Sequence, residues 1–129
     1  MQLPEKEVII PEGGSKPLAP YSPGIRWDRL VFTSGQIGID PETGKLVTGG
    51  VEAETRQALL NLSMILDAAD SSLANVLKVT VYVKDIDDYA LINQVYAQFF
   101  TDKQPARAII QGALPAGASV EFDAIAMVG

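Results

Sequence analysis

Val76 to Lys84 alternates cleanly. Val79, Val81 and Val83 fall on one side, and Lys78, Thr80, Tyr82 and Lys84 on the other. A period of two marks a strand with one buried face. Val51 to Ala69 has a different period: Leu59, Leu62, Ile65, Leu66 and Ala69 recur at three- and four-residue steps. Glu52, Glu54, Arg56, Gln57 and Asn61 fill the other face, so an amphipathic helix is expected there. Its early acids suit the positive end of the helix dipole. Ser71 or Ser72 is expected to cap one short turn. A second helix is expected from a cap at Asp85 or Asp87 to about Phe100, with Leu91, Ile92, Val95 and Phe99 as its apolar stripe.

Extended segments surround these helices. Glu5 to Ile10 and Leu30 to Ser34 read as strands, and Gln36 to Ile39 continues extended after Gly35. Pro11 to Pro23 holds four of the eight prolines and reads as a loop. Asp40-Pro41-Glu42-Thr43-Gly44 reads as a turn. Two closing strands are expected, Ala106 to Ala113 and Ser119 to Val128. The expected order is three strands, helix, strand, helix, two strands: a single α+β domain over residues 1–129.

Two helices cover one face of such a sheet and leave the other open. In the last hairpin, Ala106, Ala108, Ile110, Val120, Phe122, Ala124 and Ala126 read as the helix-facing set. Arg107, Ile109, Gln111, Glu121, Asp123, Ile125 and Met127 read as the opposite, mixed set. A sheet face of that composition suits a subunit interface, and a homo-oligomer with its site at the seam is expected.

Composition narrows the chemistry. The chain has no cysteine and no histidine, which removes thiolate nucleophiles, disulfides, the usual acid/base group and the commonest metal ligands. Catalysis would have to use Arg, Glu, Asp, Tyr, Ser, Lys, backbone groups or water. A net charge of −6 with scattered lysines and arginines argues against a nucleic-acid surface. No apolar run is long enough to span a bilayer, and Met1 to Glu7 lacks the basic and apolar regions of a signal peptide, so a cytoplasmic location is expected. Arg107 and Glu121 stand inside apolar segments, where charges are solvated, paired or used. From the residues alone, Arg107 is either a carboxylate-binding group or the partner of Glu121 or Asp123 in an ion pair.

Six stretches then occur in order: Ala19-Pro20-Tyr21-Ser22; Thr33-Ser34-Gly35-Gln36 with Asp40-Pro41 and Thr43-Gly44; Val79, Val81, Val83 and Asp85 at alternate positions; Ile92-Asn93-Gln94-Val95-Tyr96; Pro105-Ala106-Arg107; and Val120-Glu121 with Ala124-Ile125-Ala126. Together they resemble the RidA/YjgF family of enamine/imine deaminases, over nearly the whole chain after about Pro17. The resemblance implies a chorismate-mutase-like fold, a mixed six-stranded sheet with two helices on one face, and a homotrimer whose sheets form a central barrel with a cleft at each seam. It implies cofactor-free hydrolysis of 2-aminoacrylate-type enamines and 2-imino acids to 2-keto acids and ammonia.

By the same resemblance Arg107 binds the substrate carboxylate and Glu121 positions or activates water. Tyr21, Ser34, Gly35 and Asn93 line the cleft. Ile109 stands where many relatives have Cys or Thr, and would act through its backbone N–H. Pro23 stands where Gln is common. Two other functions are weighed: a non-enzymatic module binding 2-keto acids through the same arginine, and the ribonuclease or translation-inhibitor activity attached to some relatives, which the acidic chain disfavours.

Overall fold

The computed structural model describes residues 2–14, 17 and 19–129. Ser15, Lys16 and Leu18, within the expected proline-rich loop, lie outside the described residues, as does Met1. The elements are β1 (Lys6–Ile9), β2 (Gly24–Trp27), β3 (Leu30–Thr33), α1 (Gly50–Ala68), β4 (Val76–Val83), α2 (Tyr89–Phe99), β5 (Ala106–Gln111) and β6 (Val120–Met127). The six strands form one sheet in the order β1-β2-β3-β6-β4-β5. Only β4 and β5 run parallel, because α2 carries the chain back across the sheet between them.

The expected apolar stripe of α1 is buried: Leu59, Leu62, Ile65, Leu66 and Ala69 pack with Val79, Val81 and Val83 of β4 and with Val120, Phe122, Ala124 and Ala126 of β6. Each Leu, Ile, Val or Phe among them contributes about 1.5–3 kcal/mol by leaving water. No helix among the described residues is long and apolar enough to cross a membrane.

Several details depart from the sequence pattern. The third N-terminal strand is Gly24–Trp27, not Gln36–Ile39. It turns directly into β3 through Asp28 and Arg29, with Asp28 left-handed at φ 56°, a conformation Asp tolerates. Residues 36–39 make only isolated bridges, Gln36 with Phe122 and Ile39 with Leu46.

The polar face expected for α1 is partly internal. Glu54 is buried and accepts from the Ser119 N–H (2.8 Å) and the Ser119 hydroxyl (2.9 Å). Asn61 is buried and donates to the carbonyls of Ile37 (3.1 Å) and Ile39 (2.8 Å). These side chains tie α1 to the loops that run over it, because buried loop backbone needs partners. Asp85 caps a short 3-10 turn by accepting from the Asp87 N–H, and α2 begins after that turn without a side-chain cap. Ser72 precedes the turn Leu73–Asn75 without capping it, and Ser71 instead donates to the Met127 carbonyl. On α2 the buried set is Ile92, Val95 and Tyr96, while Leu91 is exposed.

One correction bears on function. Val79, Val81 and Val83 pair with Arg107, Ile109 and Gln111 on one side, and with Ala124, Phe122 and Val120 on the other. Directly paired residues share a face. Arg107 and Ile109 therefore lie on the helix-covered face, and Ala106, Ala108 and Ile110 on the open one. The expected face assignment holds for β6 and is inverted for β5. The open face carries Glu121, Asp123 and Tyr82, together with exposed Val8, Trp27, Phe32, Ile110 and Met127.

Candidate active site

Arg107 sits at the edge strand, under the first two turns of α2. Its Nη1 donates to Asn93 Oδ1 (2.8 Å) and its Nη2 to the Tyr89 hydroxyl (3.2 Å). The guanidinium carbon lies 4.8 Å from the Tyr96 ring centroid and 5.7 Å from that of Tyr89. Tyr89, Asn93 and Tyr96 are spaced four and three residues apart, so one stripe of α2 supplies all three. Tyr96 is anchored by its ring neighbours Phe100 (4.5 Å between centroids) and Phe122 (6.2 Å). Its hydroxyl is buried without a hydrogen-bond partner, and burial raises its pKa while the adjacent Arg107 opposes the rise.

Neither Glu121 nor Asp123 pairs with Arg107. The ion pair found among the described residues is Arg26 with Asp70, at 3.2 Å. Among the described residues all three of Arg107's contacts are neutral, and no carboxylate pairs with its positive charge. Ile109 shares this face, its side chain packed against the core. The Gly112 N–H donates to the Val83 carbonyl (2.9 Å). By strand alternation the Ile109 N–H then points to the free edge of β5, where a ligand can reach it.

A second cluster forms on the opposite side. Phe32 pairs with Ile125 and Gln36 with Phe122, so four steps along the β3 side answer three along β6. The extra residue is a bulge. Thr33 fills the ladder there, accepting from the Ala124 N–H through its hydroxyl (3.0 Å). The bulge lays Gly35 against the Glu121 side chain: a Cβ at Gly35 would stand 2.7 Å from the Glu121 carboxyl carbon. Glycine is required by that approach.

Ser34 ties in the preceding loop. Its N–H donates to the Pro23 carbonyl (2.8 Å) and its hydroxyl to the Ser22 carbonyl (2.5 Å). Tyr21, next to Ser22, is half exposed and is not packed into the core. Burial, and then the nearby Asp123 charge, raise the pKa of Glu121 above its ordinary 4.5. Asp123 itself accepts from the Tyr82 hydroxyl (2.9 Å), and that bond leads the rise in the Tyr82 pKa.

The expected site residues thus fall into two groups. Asn93, Arg107 and Ile109 form one, and Ser34, Gly35 and Glu121 the other, with Tyr21 on the adjoining loop. Tyr89 and Tyr96 were missed as neighbours of Arg107. Their helical spacing from Asn93 is the available signal, and the apolar alternation of β5 hides it by pointing Arg107 to the opposite face. Among the described residues, no group of three or more His, Cys, Asp or Glu is arranged to hold a metal ion.

A small α+β chain with a mixed sheet, helices on one face and an arginine held at its edge by three neutral side chains defines the class. Within that class the chain belongs to the RidA/YjgF family: the family model described as "Endoribonuclease L-PSP" matches residues 13–128. It is 47% identical over 122 residues to a RutC family protein of Pyrococcus horikoshii, covering 94% of this chain and 97% of that protein. It is 46% identical over 113 residues to the human 2-iminobutanoate/2-iminopropanoate deaminase, covering 87% of this chain and 82% of the human one. The crystal structure of Escherichia coli TdcF with bound serine superposes with a TM-score of 0.89 at 36% identity, over 95% of this chain and 99% of that one.

Proposed function

We propose that this protein is a cofactor-free deaminase that hydrolyses 2-imino acids, and the enamines in equilibrium with them, to 2-keto acids and ammonia. The observation that carries the reading is Arg107: a guanidinium held by Asn93, Tyr89 and Tyr96 with no carboxylate partner, its remaining N–H groups free to take an acid in a bidentate grip. The names of the mammalian relatives support the substrate class, and TdcF with bound serine supports a ligand that carries a carboxylate.

In this reading water adds to the imine carbon, forming a carbinolamine that expels ammonia and leaves the ketone. Glu121, its pKa raised, passes two protons to the nitrogen in turn, one from the attacking water and one from the carbinolamine hydroxyl as the C–N bond breaks. An enamine first becomes the imine by gaining a proton at carbon 3 and losing one from nitrogen. Both steps need Arg107 and Glu121 on one substrate, yet one chain holds them on opposite sheet faces. The proposed assembly is therefore a homotrimer in which the Arg107 half-site of one copy meets the Glu121 half-site of the next. The exposed apolar residues of the open face, Trp27, Phe32 and Ile110 among them, support such an assembly.

The test couples a dehydratase that releases 2-iminobutanoate to this protein and follows keto-acid formation. Acceleration by the wild type, lost in Arg107→Ala and in Glu121→Gln, is the expected result. An inert wild type that still binds 2-ketobutyrate through Arg107 would instead make the protein a ligand-binding module.

A further inference from the structure

The receptor around Arg107 has a donor its known parts do not use. Tyr89 opens α2, is 43% exposed, and brings its hydroxyl up to the Arg107 guanidinium. The phenol oxygen accepts from Arg107 Nη2 at 3.2 Å. A phenol that accepts through its oxygen still has its O–H to donate, and among the described residues no acceptor takes it. Asn93 differs: its carbonyl oxygen faces Nη1, leaving no such hydrogen beside the cation. Tyr96 differs too, because its hydroxyl is buried and its ring lies against the guanidinium. The outward rim of the receptor thus presents guanidinium N–H groups and one phenol O–H, donors only. Such an array fits a carboxylate and repels an amine or a second cation.

We infer that Tyr89 is a substrate-binding residue: its phenol O–H donates to the carboxylate that Arg107 grips, adding a third hydrogen bond from the head of α2. The inference rests on the proposed carboxylate substrate, but not on its turnover. A charge-assisted bond at a half-exposed site is expected to change affinity about tenfold, the equivalent of about 1.4 kcal/mol.

The experiment measures binding of 2-ketobutyrate and of its neutral methyl ester by calorimetry, and turnover of 2-iminobutanoate, for the wild type and Tyr89→Phe. Circular dichroism and elution volume check that the variant is folded and assembled. The expected result is about tenfold weaker 2-ketobutyrate binding, unchanged ester binding, and a KM that rises about tenfold while kcat stays within about twofold. Unchanged 2-ketobutyrate binding overturns the inference, and so does an equal loss for acid and ester. If the wild type fails to turn over the imine yet binds 2-ketobutyrate through Tyr89, the deaminase reading falls and this one stands. If it turns over the imine and Tyr89→Phe behaves as wild type, the reverse holds.

Discussion

Arg107 and Glu121 lie on opposite faces of one sheet, and two strands of pairing set that relation. Arg107 pairs with Val79, whose side chain is under the helices, and Glu121 pairs with Tyr82, whose side chain is on the open face. No rotamer change brings the two together within a chain. If both act on one substrate, two copies must supply them.

That geometry predicts complementation. Arg107→Ala and Glu121→Gln are each expected to be inactive, but unfolding and refolding them together should restore activity. In randomly mixed trimers about a quarter of the seams pair an intact Arg107 with an intact Glu121, so about a quarter of wild-type activity should return. A mixture as inactive as its parts would remove the shared site.

Assembly should depend on the open sheet face. Phe32→Glu places a charge on an exposed position opposite the helices, where the monomer's own core is untouched. The expected outcome is a folded chain of monomeric mass by light scattering, with activity lost. A variant that assembles as the wild type does would show that another surface joins the copies.

Gly35→Ala should strike catalysis more than folding. The added methyl would overlap the Glu121 carboxyl group, with its carbon 2.7 Å away, and force that side chain aside. A displaced acid/base group costs about 10²-fold or more in rate. Steady-state kinetics should show kcat falling by about that factor while 2-ketobutyrate affinity, set by Arg107, changes little.

Glu54→Ala should lower stability. It strips both acceptors from Ser119, leaving a part-buried N–H unpaired at the entry to β6, at a cost of about 1–3 kcal/mol. Denaturant titration measures it; an unchanged midpoint would mean that water replaces the carboxylate.

The raised pKa of Glu121 fixes the sign of a pH effect. The folded state holds its proton more tightly than the unfolded chain, so this group favours folding below its ordinary 4.5. That advantage is lost as pH rises through the higher folded value. Glu121→Gln should therefore gain stability relative to wild type as pH is raised from 4 towards 7, read as a growing difference in Tm. A difference that shrinks over that range would contradict the shift.

The alternating valines of β4 and the three-and-four spacing of α1 leave one arrangement for each segment, because each buries its apolar side in only one local geometry. Those periods, the turn residues and the count of two helices were enough for an α+β sheet covered on one side. Arg107 and Glu121 stand out because charges are costly inside apolar segments, whereas Gly35 and Asn93 come only with the family resemblance.

What sequence could not decide was relation between segments. β2 was hidden because Gly24-Ile25-Arg26-Trp27 has no clear alternation and its turn lacks the usual Asn-Gly or Asp-Gly signal. The orientation of β5 is not legible in its sequence because Ala106, Ala108 and Ile110 look more apolar than Arg107, Ile109 and Gln111, and an edge strand follows its partner, not its own hydrophobicity. Glu54 and Asn61 looked like solvent-facing helix residues, yet loops with unpaired backbone groups cover them. Pairing register and loop paths are long-range facts, settled by which buried polar groups find partners, and it was they that divided the site residues between two faces.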